Sequence, residues 1–178
     1  MPVPELTSPA EFHRPLIISR IGAGHAETVV ANDAECAALA QRMGLPGIAA
    51  LRCSFTLRPI RKSGFAADGR LVARLVQTCV ISLEDFPVAI DEVFRVHFVP
   101  AERLGATDDM GAVDDPESDD EIPYHGTIID LGEATAEQLA LVLDAYPRAP
   151  GAAHAEPDSS DDRPPHPFAG LGKLRSTD

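Results

Sequence analysis

The sequence contains no tryptophan, and aromatic residues make up only 5% of its 178 residues. Because 44% of the residues are nevertheless apolar, the chain can bury a core, which we expect to be mainly aliphatic. No run of about 18 apolar residues occurs, so no transmembrane helix is expected, and the N-terminus lacks the basic and apolar regions of a signal peptide. The three cysteines are odd in number and widely spaced, which indicates reduced thiols in a cytoplasmic protein rather than a disulfide framework.

Motifs of the common enzyme classes are also absent. The sequence has no Walker loop, no dinucleotide-binding glycine fingerprint and no nucleophile elbow. Its six histidines are scattered, and no pair of cysteines has the close spacing of structural zinc ligands. We therefore predict a protein that is not an enzyme and that has no catalytic residues, no cofactor and no metal site. A small hydrolase or metal enzyme is the remaining alternative, and it requires a compact pocket of His, Asp and Cys side chains.

The net charge of −13 comes from one part of the chain. Residues 1–100 carry ten basic and ten acidic residues, whereas residues 101–146 carry thirteen acidic residues against Arg103 alone. The part from residue 147 onward adds four basic and five acidic residues. The overall acidity therefore does not exclude contact between the N-terminal part of the chain and a polyanion.

The first hundred residues are rich in strand signals. Apolar runs at residues 14–19 and 26–31 predict two short strands, and Asn32 with Glu35 has the spacing of a capping box that begins a helix. That helix is expected to end at Gly44. Strict alternation of apolar and polar residues then predicts a long strand whose buried positions are Leu51, Cys53, Phe55 and Leu57.

Two further long strands are predicted after this one. The dipeptide Asp68-Gly69 is a typical two-residue hairpin turn, so we expect a return strand over residues 70–81, central in the sheet. A third strand follows Asp85 and ends at Pro100. Three successive long strands with short connections indicate an antiparallel meander.

The C-terminal half contains one more strand and one more helix. Residues 128–131 predict a short strand, and Thr135 with Gln138 suggests a second capping box. The packing face of this helix is predicted to be Leu139, Val142 and Leu143, and Pro147 is expected to end it.

The predicted fold class is α+β, with a mostly antiparallel sheet or partly open barrel and two packed helices. We expect a single α+β domain formed by residues 14–100 and 124–147. An acidic disordered loop over residues 101–123 is inserted in it, because that segment has almost no apolar content. A flexible N-terminus over residues 1–13 and a flexible tail over residues 148–178 complete the chain.

Six basic residues and one acid, Asp68, lie between residues 52 and 74. Arginine suits phosphate because its planar fork donates two hydrogen bonds at once. One interpretation is a surface for the RNA backbone, and the other is a solvated strand face whose charges oppose aggregation. Phe65 is the only nearby aromatic residue that could stack on a base, so readout of single-stranded sequence has little support. The candidate RNA-binding residues are Arg52, Arg58, Arg61, Lys62, Arg70 and Arg74.

Two other segments are candidates for binding a partner. The acidic segment either solvates a loop, docks a basic protein, or shields the basic hairpin until RNA displaces it. Near the C-terminus, apolar residues at three-residue spacing either dock back on the domain or insert into a groove of a partner. The candidate partner-binding residues are Asp108, Asp109, Asp114, Asp115, Asp119, Asp120, Phe168, Leu171 and Leu174.

Three segments occur in a characteristic order, namely residues 77–86 (QTCVISLEDF), 128–133 (IIDLGE) and 165–175 (PHPFAGLGKLR). In that order and spacing they resemble the YceD family, whose members are needed for accumulation of the large-subunit ribosomal RNA. The resemblance covers roughly residues 14–175. Some YceD proteins carry a Cys-x-x-Cys pair at the position of Cys79, but the second position falls on Ser82 here, which disfavours zinc.

The resemblance implies a cytoplasmic, non-catalytic factor of ribosome biogenesis that supports the synthesis, processing or stability of large-subunit (23S) ribosomal RNA. On the residues above, the hypothesised mechanism is direct contact of the basic hairpin with that RNA or its precursor. The alternative is an adaptor that binds a ribosomal protein or assembly factor through the acidic loop without touching RNA. No membrane partner is expected.

Overall fold

The computed structural model describes residues 11–60, 64–103 and 120–152 of the chain. The strands are β1 (Pro15–Ile17), β2 (His25–Val30), β3 (Gly47–Ile60), β4 (Gly64–Thr78), β5 (Asp85–Pro100), β6 (Asp120–Tyr124) and β7 (Ile128–Asp130). The helices are α1 (Asp33–Met43) and α2 (Leu131–Val142), with short 3-10 turns at Ile18–Arg20 and Ala101–Arg103.

The main sheet has five strands in the order β2-β3-β4-β5-β6. Strands β2 to β5 pair antiparallel, so the predicted meander and the central position of β4 are confirmed. Strand β6 pairs parallel with β5, and β1 pairs with β7 in a separate two-stranded sheet. The sheet is not closed. The fold is therefore α+β with a mostly antiparallel sheet and two helices, as predicted.

Both helices pack on one side of the sheet, which we call the inner face. Helix α1 contacts β3, and α2 contacts β1 and β4. The alternation predicted for β3 is confirmed, since its apolar positions are almost completely buried. The core is mainly aliphatic, although the three largest of its fully buried side chains are Phe12, Phe55 and Phe98. The other large, fully buried side chains are Ile21, Leu39, Leu51, Leu57, Leu71, Leu75, Ile129, Leu131 and Leu139.

The start and end of α1 follow the predicted signals. The Asn32 side chain accepts a hydrogen bond from the Glu35 amide at 3.0 Å, and the Glu35 carboxylate accepts from the Asn32 amide at 2.8 Å. This reciprocal pair satisfies two amide groups that the helix itself leaves unpaired. Gly44 ends the helix with a left-handed φ of 66°, a conformation that glycine adopts without steric cost.

The predicted turn at Asp68-Gly69 is wrong, because both residues lie in the middle of β4. Asp68 pairs with Thr56 on one side and with Arg95 on the other. Strand β4 therefore begins at Gly64 rather than at residue 70, and it ends at Thr78. Gly69 is needed for packing instead of turning, since a Cβ there would lie 2.2 Å from Cζ of Phe94.

The predicted capping box of the second helix is also wrong. Helix α2 begins four residues before Thr135, and its N-cap is Asp130, which accepts from the amides of Gly132 and Glu133. Thr135 is buried inside the helix and donates from Oγ1 to the carbonyl of Leu131 at 2.7 Å.

The predicted packing face of α2 is correct only in part. Leu139 is fully buried and Leu143 is half-buried at the C-cap. Val142, however, is exposed. The helix ends at Val142, before the predicted stop at Pro147.

The end of the predicted acidic loop is a strand. Residues 120–123 belong to β6, where they pair with β5. Residues 104–119, with the other predicted acidic partner-binding residues, lie outside the described part of the chain, as do Arg61, Lys62, Phe168, Leu171 and Leu174. The predicted division of the chain into a domain, a loop and two termini stays a prediction.

Candidate nucleic-acid interface

The sheet face opposite the helices, which we call the outer face, carries four of the predicted arginines. Residues that are directly opposite on neighbouring strands project to the same side. Arg52 pairs with Val72, and Arg70 pairs with Ser54, so the side chains of both strands at these positions share one face. The same parity adds Arg58 and Arg74. All four arginines are exposed.

Strand β5 contributes a fifth arginine that sequence reasoning missed. Arg95 pairs with Asp68, which places it on the outer face beside the predicted set. Arg95 occupies every second position along β5 together with Asp91 and Val93, and this period of two could have assigned it to the same face. The outer positions of β3, β4 and β5 hold five arginines and the aspartates Asp68, Asp85 and Asp91, a net charge of +2. This face is therefore basic in a chain whose net charge is −13.

Three of these arginines are held by carboxylates. Arg70 donates from Nε and Nη2 to the two carboxylate oxygens of Asp91, each at 2.7 Å. Asp68 lies between two arginines, accepting from Nε of Arg95 at 2.8 Å and forming a second ion pair with Arg58.

These contacts favour the charged forms of both carboxylates, and the hydrogen bonds to Asp91 also raise the pKa of Arg70. Hydrogen bonds from Arg95 and then Arg58 lower the pKa of Asp68, and the hydrogen bond from Arg70 lowers the pKa of Asp91. Both carboxylates are thus ionised at neutral pH, and a phosphate group would have to compete with them for the same guanidinium groups.

The other two arginines, Arg52 and Arg74, flank a shallow groove on the outer face. Neither forms an ion pair within the described residues, although Arg52 lies close enough to Asp91 to lower the pKa of that carboxyl. The groove has a volume of about 460 Å³, and its walls are small apolar residues such as Ala50 and Val72. Two guanidinium groups on either side of an open groove can reach adjacent acceptors on one extended polyanion.

Phe65, the one nearby aromatic residue that the sequence offers for stacking on a base, lies on the inner face of the sheet. It pairs with Phe98 on the inner side of the sheet, where Phe98 is buried, and its ring packs against Tyr124 with a centroid distance of 6.2 Å. The outer-face positions of strands β2 to β5 carry no Phe, Tyr or Trp, and their one aromatic ring is the half-buried imidazole of His97, which pairs with Ala66. This face can therefore contact a phosphate backbone, but it offers no exposed Phe, Tyr or Trp ring on which a base could stack.

Cys79 is buried, but its surroundings are polar. Its side chain has 0% exposure, and Sγ accepts hydrogen bonds from the amides of Ile81 at 3.4 Å and Ser82 at 3.5 Å. Hydrogen bonds from the hydroxyl and then the amide of Ser82 lower the pKa of Cys79 to about 6. Ser82 occupies the position of the second cysteine of a Cys-x-x-Cys pair, and it donates a hydrogen bond to Cys79.

The other two cysteines behave as ordinary core residues. Burial raises the pKa of Cys53 to about 12 and also raises the pKa of Cys36. In the described ranges, no three His, Cys, Asp or Glu side chains cluster as they would around a metal ion. Across the same ranges, neither helix has the length and apolar character required to cross a bilayer.

One family of known proteins matches the chain. The model of the YceD family, described as large ribosomal RNA subunit accumulation protein YceD, matches residues 67–175. No curated protein and no solved structure matches. The matched region contains 109 of the 178 residues, among them three outer-face arginines, the Cys79 turn, α2 and the segment that follows it. The chain therefore belongs to the YceD family.

Proposed function

We propose that this protein binds the phosphate backbone of large-subunit ribosomal RNA, or of its precursor, through the outer face of strands β3, β4 and β5. Membership of a family described by accumulation of large-subunit ribosomal RNA supports a role in ribosome biogenesis. The same description names an accumulation protein and no reaction, and we infer a non-catalytic, cytoplasmic factor.

The observation that carries the proposal is the gathering of five arginines on one open, helix-free face. Arg52 and Arg74 are the first contacts we assign, because no carboxylate holds them among the described residues. The contacts that we assign second are those of Arg58, Arg70 and Arg95. Each of these arginines must release an aspartate carboxylate before it can bind a phosphate. Such an exchange conserves charge-assisted hydrogen bonds, so its net gain is smaller than that of a new contact.

The test is binding of precursor ribosomal RNA by the full chain and by an Arg52→Gln/Arg74→Gln variant, measured over a series of salt concentrations. Loss of two phosphate contacts should weaken binding about tenfold or more and reduce the slope of log K against log salt by about 1.5 to 2. The matched control is Arg20→Gln/Arg148→Gln, which removes the same charge from exposed arginines elsewhere.

We expect Arg52→Gln/Arg74→Gln to weaken RNA binding and Arg20→Gln/Arg148→Gln to leave it unchanged. If both lose affinity equally, the effect is one of net charge alone and the assignment of the outer face is wrong. A folded Arg52→Gln/Arg74→Gln variant with unchanged affinity and salt slope would also contradict it. A variant with Glu at positions 52, 58, 70 and 74 extends the same test to the carboxylate-held arginines.

The second candidate function is an adaptor that binds a basic ribosomal protein or assembly factor through residues 108–121. It is favoured by the low net charge of the outer face, where three aspartates oppose five arginines. Because β5 and β6 are parallel, the chain between them is a crossover that needs a dozen or so residues, so a deletion would endanger the sheet.

Charge neutralisation is therefore the sharper test of the adaptor. Changing Asp108, Asp109, Asp114, Asp115 and Asp119 to Asn and Glu117 to Gln keeps the length of the crossover. An adaptor loses its protein partner in this variant, whereas an RNA-binding protein retains its affinity for RNA or gains some.

A further inference from the structure

The described surface contains an open, largely apolar groove between the two helices. The groove lies between the C-terminal end of α1 and the exposed side of α2, and it has a volume of about 640 Å³. Ala136 and Ala140 of α2 line it at four-residue spacing, and Leu141, the C-cap residue Leu143 and Met43 of α1 lie beside them. Small side chains between larger apolar ones leave room for an inserted apolar side chain.

The groove continues into the region where the described chain leaves α2. Leu141 in the groove is 67% exposed, whereas Tyr146 lies beyond the helix and lines neither this groove nor the one next to it. A second groove shares Met43, Ala140 and Leu143 with the first and extends to Pro147. Exposed apolar side chains collected along a groove, rather than scattered singly, indicate a surface that another segment covers.

We propose that the groove binds the C-terminal segment of this same chain, with Phe168, Leu171 and Leu174 as its apolar contacts. Of the two interpretations that the sequence leaves open for these residues, the groove favours docking on the domain itself. The proposal does not depend on RNA binding.

The length of the chain makes this docking accessible. Pro147 is anchored beside the groove, where its carbonyl accepts from the Val80 amide at 2.9 Å. The described chain ends at Ala152, and 15 residues separate it from Phe168. Fifteen residues can span at most about 50 Å, whereas the whole of α2 is about 18 Å long, so the segment can reach any part of the groove. Tethering at this range gives an effective concentration on the order of millimolar, so a weakly binding motif can still be docked.

Charge also favours this occupant. Glu137 lines the groove and forms no ion pair among the described residues. Burial, and then the nearby charge of Glu133, raise the pKa of Glu137, so a basic partner would relieve an unfavourable carboxylate. The C-terminal segment supplies Lys173 and Arg175 on either side of Leu174. Arg42 also lines the groove, but its charge is met by its ion pairs with Glu11 and Glu133, so the carboxylate that remains for a basic segment is that of Glu137.

The test is disulfide formation in the full chain between one cysteine in the groove and one in the segment. Ala140→Cys provides the groove thiol at an exposed position, and Gly172→Cys keeps all three apolar side chains of the segment. The control places the first thiol at Thr56→Cys, an exposed position on the outer face. The native cysteines are all buried, and Gly172→Cys alone measures any reaction with them.

We expect an intramolecular disulfide to form at least about tenfold faster with Ala140→Cys than with Thr56→Cys, because docking holds the segment at the groove. Adding Phe168→Asp should return the rate to that of the control. Equal rates at the two positions, or no disulfide at either, would overturn the proposal. A disulfide-linked dimer formed through Ala140 would also overturn it and assign the groove to a second copy of the chain.

Discussion

Replacement of Gly69 by alanine tests whether β4 and β5 pack as described. A Cβ at this position would lie 2.2 Å from Cζ of Phe94 and less than 2.8 Å from both Cε atoms, whereas carbon atoms in contact are about 3.5–4.0 Å apart. The Phe94 ring must therefore move by more than about 1 Å or rotate away. In the native arrangement that ring meets Phe55 edge-on, with centroids 5.8 Å apart and planes at 79°.

Three contributions set the size of the effect. Overpacking of this kind costs about 1–3 kcal/mol, and loss of the edge-to-face contact with Phe55 costs about 0.5–1.5 kcal/mol. Alanine in a strand recovers about 0.5–1 kcal/mol of backbone entropy relative to glycine. Together these contributions predict that Gly69→Ala lowers the free energy of unfolding by about 0.5–4 kcal/mol.

Chemical denaturation of the two single variants and the double variant measures this directly. In a Phe94→Ala background the obstructing ring is absent, so Gly69→Ala should be neutral or slightly stabilising. Gly24→Ala is the matched control, because its nearest neighbouring atom would lie 3.7 Å away. If Gly69→Ala is as harmless as Gly24→Ala in the wild-type background, the packing of Phe94 on Gly69 is refuted.

Three further predictions concern the supports of the sheet. Asn32→Ala removes the capping box of α1 and should cost about 1 kcal/mol of stability by thermal or chemical unfolding, whereas a change below about 0.3 kcal/mol would contradict the cap. Arg42→Ala removes two exposed ion pairs, to Glu11 and Glu133, and should cost about 0.5–2 kcal/mol, less at high salt; a cost that does not change with salt would argue against an electrostatic role. Because the pKa of Cys79 falls from 9.0 to about 6 on folding, its stabilising contribution is complete above pH 9 and is lost as the pH falls to about 6. Unfolding measured across that range should become less dependent on pH in Cys79→Ala, and an unchanged dependence would contradict the polar turn.

The sequence predicted the elements whose signals are local. The capping box at Asn32, the helix stop at Gly44 and the alternation along β3 each depend on a few neighbouring residues, and the structure confirms all of them. The parity of Arg52, Arg58, Arg70 and Arg74 also depends only on position within two strands, which explains why four of the candidate residues lie on one face.

The predictions were wrong where the local structure depends on residues that are distant in the sequence. Asp68-Gly69 has the chemistry of a hairpin turn, but pairing with β3 on one side and β5 on the other extends the strand through it, and the Phe94 ring takes the space above Gly69. The acidic composition of residues 120–123 concealed β6, whose partner strand is separated from it by a long stretch of sequence. The capping pattern at Thr135 does not mark the start of α2, because Asp130 caps the helix about one turn earlier.

The carboxylates of the outer face could not be predicted for the same reason. Asp91 and Arg70 are 21 residues apart, and their bidentate contact depends on the register between β4 and β5. Likewise, Arg95 belongs to the outer face because of the pairing between β4 and β5, which places it opposite Asp68.

Crosslinking of the protein to RNA in cells, followed by sequencing of the attached RNA, tests the central claim most directly. Direct binding through the outer face predicts enrichment of a discrete region of large-subunit ribosomal RNA, with at least about a tenfold reduction in the Arg52→Gln/Arg74→Gln variant and no reduction in Arg20→Gln/Arg148→Gln. Recovery of no RNA above background, with ribosomal proteins co-purifying instead, would contradict the claim and make the acidic segment the functional element.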